Sequence, residues 1–203
     1  NFKGTMGDIT NTGLIIGYSG STRGIQNNEG TIEDITNTGL MTTSSDVISN
    51  TGTIGGITNT GVINSSNYGI YNTITKVAGT MGNIANTGLI SSSSEGIYNT
   101  GIMGDITNTG VIYGKTNAIS NGSGGSISKI NNYGILITEG SGAISNSGTI
   151  TNTPENYGIY ITGTDGKVSI DSTKQNNDPI IVGYDENRKE IKRNLAIENE
   201  TRS

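Results

Sequence analysis

The sequence predicts an all-β fold, a single-stranded parallel β-helix of about seven coils of 22–27 residues, and three observations carry that prediction. An Asn-x-Gly frame recurs at Asn11, Asn37, Asn59, Asn86, Asn108, Asn132 and Asn156, with successive spacings of 26, 22, 27, 22, 24 and 24 residues. The frame lies inside a longer repeat, Gly-Thr-Ile/Met-x-x-Ile-Thr-Asn-Thr-Gly-Leu/Val-Ile, clearest over 30–41 and 52–63. Of 203 residues 32 are Gly and only 31% are hydrophobic, so a fold survives only if the apolar side chains fall in columns, and they do. Helical solenoids are disfavoured because Gly and Asn recur every few residues, β-branched residues dominate and no 3.6-residue period survives.

Each coil resolves in order into short strands and corners. In Gly30-Thr31-Ile32-Glu33-Asp34-Ile35, two apolar residues flank a two-residue link. Gly7-Asp8, Gly55-Gly56, Gly82-Asn83 and Gly104-Asp105 stand in the same place, and such dipeptides predict sharp bends at positive φ. The Asn-x-Gly frame predicts a second bend, since Asn tolerates the left-handed region and its amide bonds local backbone. An apolar pair follows: Leu14-Ile15, Leu40-Met41, Val62-Ile63, Leu89-Ile90, Val111-Ile112, Ile135-Leu136 and Ile159-Tyr160. After a variable polar stretch, a third strand carries Ile25, Ile48, Ile70, Ile97, Ile119 and Ile144, each followed two residues on by Asn27, Asn50, Asn72, Asn99, Asn121 or Asn146. Every coil therefore holds two Asn corners. Coils stacked about 4.8 Å apart bring identical residues into register, so isoleucines form core ladders and asparagine amides bond from coil to coil.

One column has two possible facings. If alternation continues through the frame, Leu14, Leu40, Val62, Leu89, Val111, Ile135 and Ile159 form an exposed apolar stripe. If the Asn-x-Gly bend resets it, they tuck into the core. Corners commonly break the two-residue period, which favours the second.

Residues 1–164 hold the repeats and 14 charged residues, whereas 165–203 hold 15 in about a fifth of the length. Thr153-Pro154 replaces the expected isoleucine in the seventh coil and removes a backbone donor. Lys167-Val168-Ser169-Ile170 still reads as a strand, and the segment from Pro179 to Val182 adds a candidate for another. The remainder reads as a frayed end or the start of a next module. A full repeat begins by Gly4 with no room for a cap, so the chain reads as part of a longer polypeptide.

Composition narrows function. A net charge of -5 and a pI near 4.7 leave no electrostatic footprint for nucleic acid or an anionic membrane, and no apolar run is long enough to span one. Without Cys or His there is no disulfide framework, no thiolate metal site and no imidazole base. No catalytic residue, metal ligand or cofactor is assigned, and the chain reads as non-enzymatic. Asp8 and Asp34 share a corner column, as paired carboxylates of carbohydrate-active enzymes do, yet the column continues as Gly56, Asn83, Asp105 and Lys129, which reads as a solvated corner. Gly122 to Gly125 reads as a corner link, and Gly17 to Arg23 and Thr73 to Ala78 as loops that lengthen their coils.

The candidate ligand-binding residues are Tyr68, Tyr71, Glu95 and Tyr98. Tyr71 and Tyr98 occupy one outward column, filled elsewhere by Gln26, Ser49, Ser120 and Ser145, with Tyr68 and Glu95 in the neighbouring column. Stacked rings beside polar groups suit sugar rings or a protein partner, or simply stabilise the surface as cross-strand aromatic pairs.

The Ile-Thr-Asn-Thr-Gly-Leu-Ile repeats, the absence of Cys and the small polar Thr/Ser/Asn surface resemble the passenger region of type V autotransporter adhesins of Gram-negative anaerobes, over roughly residues 4–170. The resemblance implies a right-handed helix displayed on the cell surface, tethered by an outer-membrane barrel not present in this segment. It implies adhesion to a receptor or glycan on host cells or other bacteria, or a passive stalk for a distant tip. A serine-protease passenger would need a His, which this chain lacks.

Overall fold

A computed structural model describes residues 3–74 and 79–164, together with the strands Lys167–Ile170, Ile180–Tyr184 and Glu190–Arg193. The repeats form a right-handed parallel β-helix with three parallel sheets along the rod. Strands such as Thr31–Asn37 and Thr53–Asn59 build the first sheet, Leu40–Thr43 and Val62–Ser65 the second, Ile48–Asn50 and Ile70–Asn72 the third. Six turns supply all three sheets. The seventh supplies the first two, and its last strand, Ile159–Thr164, pairs antiparallel with Lys167–Ile170.

Register follows the repeat. Ile35 lies opposite Ile57 and Asn37 opposite Asn59, while Ile48, Ile70, Ile97 and Ile119 follow one another along the third sheet. Each central turn buries four apolar side chains, as Ile54, Ile57, Ile63 and Ile70 do in the third. Two amide ladders line the corners between them. From Asn11 to Asn156, each Nδ2 donates to the next Oδ1 at 2.7–2.8 Å. The second ladder, Asn27 to Asn146, has rungs of 2.8–2.9 Å. The amides also bond backbone, as Asn86 Nδ2 does to the carbonyls of Gly88 and Val111 at 3.2 Å, so these buried groups are paired in the dry core, except Asn27 Oδ1, which opens the second ladder and meets no donor among the described residues. A third inward polar column, Thr43, Ser65, Ser92, Thr138 and Thr162, closes the remaining corner. There Ser65 Oγ accepts the Asn67 N–H at 3.0 Å and Thr138 Oγ1 donates to the Thr116 carbonyl at 2.7 Å.

Three expectations are corrected. The two-residue links do not separate sheets: Thr31–Asn37 and Thr53–Asn59 run through theirs as continuous strands, with Glu33 and Asp34 both turned outward so that Ile32 and Ile35 both point in. Nor do the Asn-x-Gly frames or the two-residue links use left-handed backbone. Among the described residues positive φ occurs only at Lys3, Gly20, Glu29 and Gly124. The corner glycine answers a different need, close approach of one turn to the next: a Cβ on Gly39 would overlap the Gly13 carbonyl oxygen, and one on Gly61 that of Gly39.

The third correction concerns the Leu14 column, which faces out. Leu14 and Leu40 are exposed, Val62, Leu89, Val111, Ile135 and Ile159 half-buried, while Met41, Ile63, Ile90, Ile112 and Leu136 point in. Asn37, Gly39 and Met41 keep the two-residue period through the corner, because glycine takes the inward place where no side chain fits.

In the seventh turn Glu155 pairs with Asn131, which puts Pro154 on the register of Ile130 and interrupts that ladder. Within the charged segment 165–203, Ile180–Tyr184 pairs antiparallel with Glu190–Arg193 as a hairpin. Apart from these two strands and Lys167–Ile170, that segment, and with it the expected frayed end or next module, lies outside the described residues.

Candidate binding face

On the third sheet the residues flanking Tyr71 and Tyr98 are buried ladder members, Ile70 and Asn72, Ile97 and Asn99, so both rings must project outward. Their column runs Gln26, Ser49, Tyr71, Tyr98, Ser120 and Ser145 by strand register. Tyr68 enters from the segment before the strand. That segment is anchored by Asp46, a buried carboxylate that accepts from Arg23 Nε at 3.0 Å and from Asn67 Nδ2 at 2.7 Å.

The structure brings the three tyrosines into one cluster. Tyr68 stacks on Tyr71 at 4.9 Å and on Tyr98 at 5.1 Å between ring centroids, and Tyr71 and Tyr98 lie 5.6 Å apart, with interplanar angles of 16–29°. Tyr68 thus completes the stack rather than standing beside it, and the cluster presents one joined aromatic surface. Ser49 and Ser120, on either side in the column, are buried. Tyr98 leans over the next turn, where Gly122 makes room: a Cβ there would come within 2.9 Å of the phenol oxygen.

Glu95 stands at the edge of the cluster, bonded by Ser94 Oγ, with its carbonyl accepting the Gly69 N–H at 3.3 Å. Burial, then the Glu95 carboxylate, raises the Tyr68 hydroxyl above the ordinary tyrosine range; burial, then Tyr71 and Glu95, does the same at Tyr98. Tyr68 and Tyr98 therefore stay protonated as donors, and none of the three tyrosine hydroxyls has a partner among the described residues.

The acidic corner column is used locally. Asp8 Oδ1 accepts the Asp34 N–H at 3.1 Å and Asn83 Oδ1 accepts the Asp105 N–H at 2.9 Å, so these exposed side chains cap the turn that follows. Among the described residues no group of three acidic, His or Cys side chains could hold a metal ion. Of the two long loops, 17–23 carries the exposed Tyr18, and residues 75–78 of the second lie outside the described residues.

Sequence reasoning missed a second aromatic cluster. Tyr133 and Tyr157 replace threonine in the last two Asn-x-Gly frames, and their rings stack at 5.1 Å and 6°. Beneath them Lys129 Nζ pairs with Glu155 Oε1 at 2.7 Å, and Tyr157 Oη donates to Glu155 Oε2 at 3.3 Å. The hydrogen bond from Lys129 lowers the Glu155 carboxyl and raises the Lys129 ammonium. The switch from Thr to Tyr within the frame was the available signal. Tyr113, on the second sheet, donates to Glu139 Oε1 at 2.7 Å; burial and this bond raise its hydroxyl to about 12.

Compared with models of known protein families, with curated proteins and with solved structures, the chain matches none.

Proposed function

We propose that this chain is part of the surface-displayed passenger of a type V autotransporter adhesin, and that it binds a receptor on host cells or other bacteria through Tyr68, Tyr71, Glu95 and Tyr98. The observation that carries the reading is the three-ring stack, whose hydroxyls have no partner among the described residues and whose column is otherwise Gln26, Ser49, Ser120 and Ser145. Aromatic surface with polar edges is the composition that concentrates binding energy at interfaces. The β-helix and the Cys-free repeats support display outside the cell, tethered by a barrel carried elsewhere in the parent polypeptide. No catalytic step is proposed, since the Asp8 carboxylate caps the Asp34 N–H and the chain has no His.

The test is attachment of a Tyr71→Ser/Tyr98→Ser double variant to epithelial cells and to partner bacteria. Serine stands at this position in three other turns, Ser49, Ser120 and Ser145, so the variant fits the fold. Attachment falls if the face binds. Unchanged attachment by the folded variant rejects the face, and no attachment by either protein favours the stalk, a reading supported by the near-identity of successive turns.

A further inference from the structure

Two residues before the third-sheet isoleucines Ile25, Ile48, Ile70, Ile97 and Ile119 stand Arg23, Asp46, Tyr68, Glu95 and Asn117, one in each turn. This column balances its charge at one carboxylate and not at the other. Asp46 is paired with Arg23 of the turn before at 3.0 Å. Glu95 has Tyr68 before it and Asn117 after it, and Asn117 Nδ2 donates onward to the Gly142 carbonyl at 2.6 Å. Ser94 Oγ bonds Glu95 Oε2, but a hydroxyl carries no charge, and the described ion pairs, Lys3 with Glu29, Arg23 with Asp46 and Lys129 with Glu155, leave Glu95 out. The field at the rings agrees. Burial raises the Tyr68 hydroxyl first, then Glu95, the neighbouring tyrosines and Asp46, and no lysine or arginine counters them. A half-buried carboxylate without a counterion beside three tyrosine rings is the complement of a cation: the carboxylate supplies the charge and the rings supply electron-rich faces.

We propose that the partner held at Tyr68, Tyr71, Glu95 and Tyr98 is a protein that presents an arginine to them. Its guanidinium lies flat on the aromatic cluster, and its N–H groups donate to the Glu95 carboxylate and to the tyrosine oxygens. Arginine fits better than lysine, because its planar group stacks on a ring and bonds a carboxylate through its edge at once, whereas an ammonium is a strongly hydrated point charge. An anionic ligand would meet the Glu95 charge with nothing to offset it, and a neutral ligand would leave that charge unbalanced. The arginine contact rests on the reading that the tyrosine face binds the receptor, and it adds what the receptor brings.

The test uses albumin coupled to Gly-Ser peptides that each carry an arginine, a lysine or a citrulline, citrulline being the neutral isostere of arginine, and phosphatidylcholine vesicles as a source of quaternary ammonium. Surface plasmon resonance reads their binding to the 203-residue chain. The arginine conjugate binds, the citrulline conjugate binds about tenfold or more weakly, and raising the salt from about 50 to about 500 mM weakens the arginine conjugate severalfold. Glu95→Gln and Tyr71→Ser/Tyr98→Ser each lose about tenfold or more, whereas Glu33→Gln, which removes the same charge from an exposed corner, binds as wild type does. Thermal unfolding checks that the variants fold, and the citrulline comparison needs no variant. Equal binding of citrulline and arginine, preference for lysine or for the vesicles, wild-type binding by Glu95→Gln, or no binding of the arginine conjugate overturns the proposal. Cell attachment separates the two readings. Attachment lost by Tyr71→Ser/Tyr98→Ser but kept by Glu95→Gln rejects the arginine and leaves the face, whereas attachment kept by both rejects the face and the arginine with it.

Discussion

Replacing Asn86 by alanine removes one rung from the middle of the first amide ladder, and the structure fixes what is lost. Asn108 Oδ1 loses the donor that reaches it at 2.8 Å and has no other among the described residues. Asn59 Nδ2 loses its 2.8 Å acceptor but keeps the carbonyls of Gly61 and Leu89 at 3.3 and 3.2 Å. One orphaned, buried carbonyl oxygen costs about 1–3 kcal/mol, and the void left by the amide adds to it, so Asn86→Ala destabilises by about 2–4 kcal/mol. For a rod of this size that lowers the melting midpoint by roughly 5–15 °C. Asn86→Asp is the sharper variant. It keeps the shape but sets an oxygen against Asn108 Oδ1, so the aspartate's folded pKa rises above its unfolded value of about 3.9. Its contribution is therefore present below that pH and lost as the pH rises through the folded pKa: the variant approaches wild type in acid and falls away toward neutrality. Thr58→Ala, on the exposed outer wall, is the control and shifts stability by at most about 0.5 kcal/mol. Circular dichroism during heating at several pH values reads all three. If Asn86→Ala and Thr58→Ala melt alike, or Asn86→Asp shows no relief in acid, the ladders do not hold the turns together.

Two further outcomes follow from the same register. Gly61→Ala drives a Cβ into the Gly39 carbonyl oxygen, a backbone atom that cannot give way, and destabilises by about 3 kcal/mol or more, whereas Gly13→Ala meets nothing within 4 Å and stays within about 1 kcal/mol of wild type. Equal melting of the two would sink the close-approach account of the corner glycine. At alkaline pH, Tyr113 adds a proton linkage: its folded hydroxyl titrates at about 12, above the ordinary value of 10.0, so the stability it contributes is intact below that ordinary value and is lost as the pH rises through about 12. Tyr113→Phe therefore shows a shallower fall in melting midpoint across this window, and a fall as steep as wild type contradicts the assignment.

Much of the fold is written in the sequence as repetition. Ile54, Ile57, Ile63 and Ile70 recur with Asn59 and Asn72 at matching places in each turn, and stacking turns needs only that matching, so the sheets, the ladders and the common column of Tyr71 and Tyr98 follow from spacing. What spacing hides is what lies above each residue. The Leu14 column faces out because Gly39 and its equivalents take an inward place, a fact about the carbonyl of the previous turn rather than about local bend chemistry. Tyr68 joins the stack because Asp46, one turn away, anchors Asn67 beside it. Tyr133 and Tyr157 sat inside a frame read for its Asn and Gly, so the variable middle residue, where the aromatic pair forms, passed unread.

The measurement that bears most directly on the function is attachment of the purified segment to epithelial cells and to partner bacteria, with and without competing sugars. The account predicts saturable attachment that the Tyr71→Ser/Tyr98→Ser variant loses. A folded wild-type segment that attaches to neither cell type contradicts it and makes these turns a stalk.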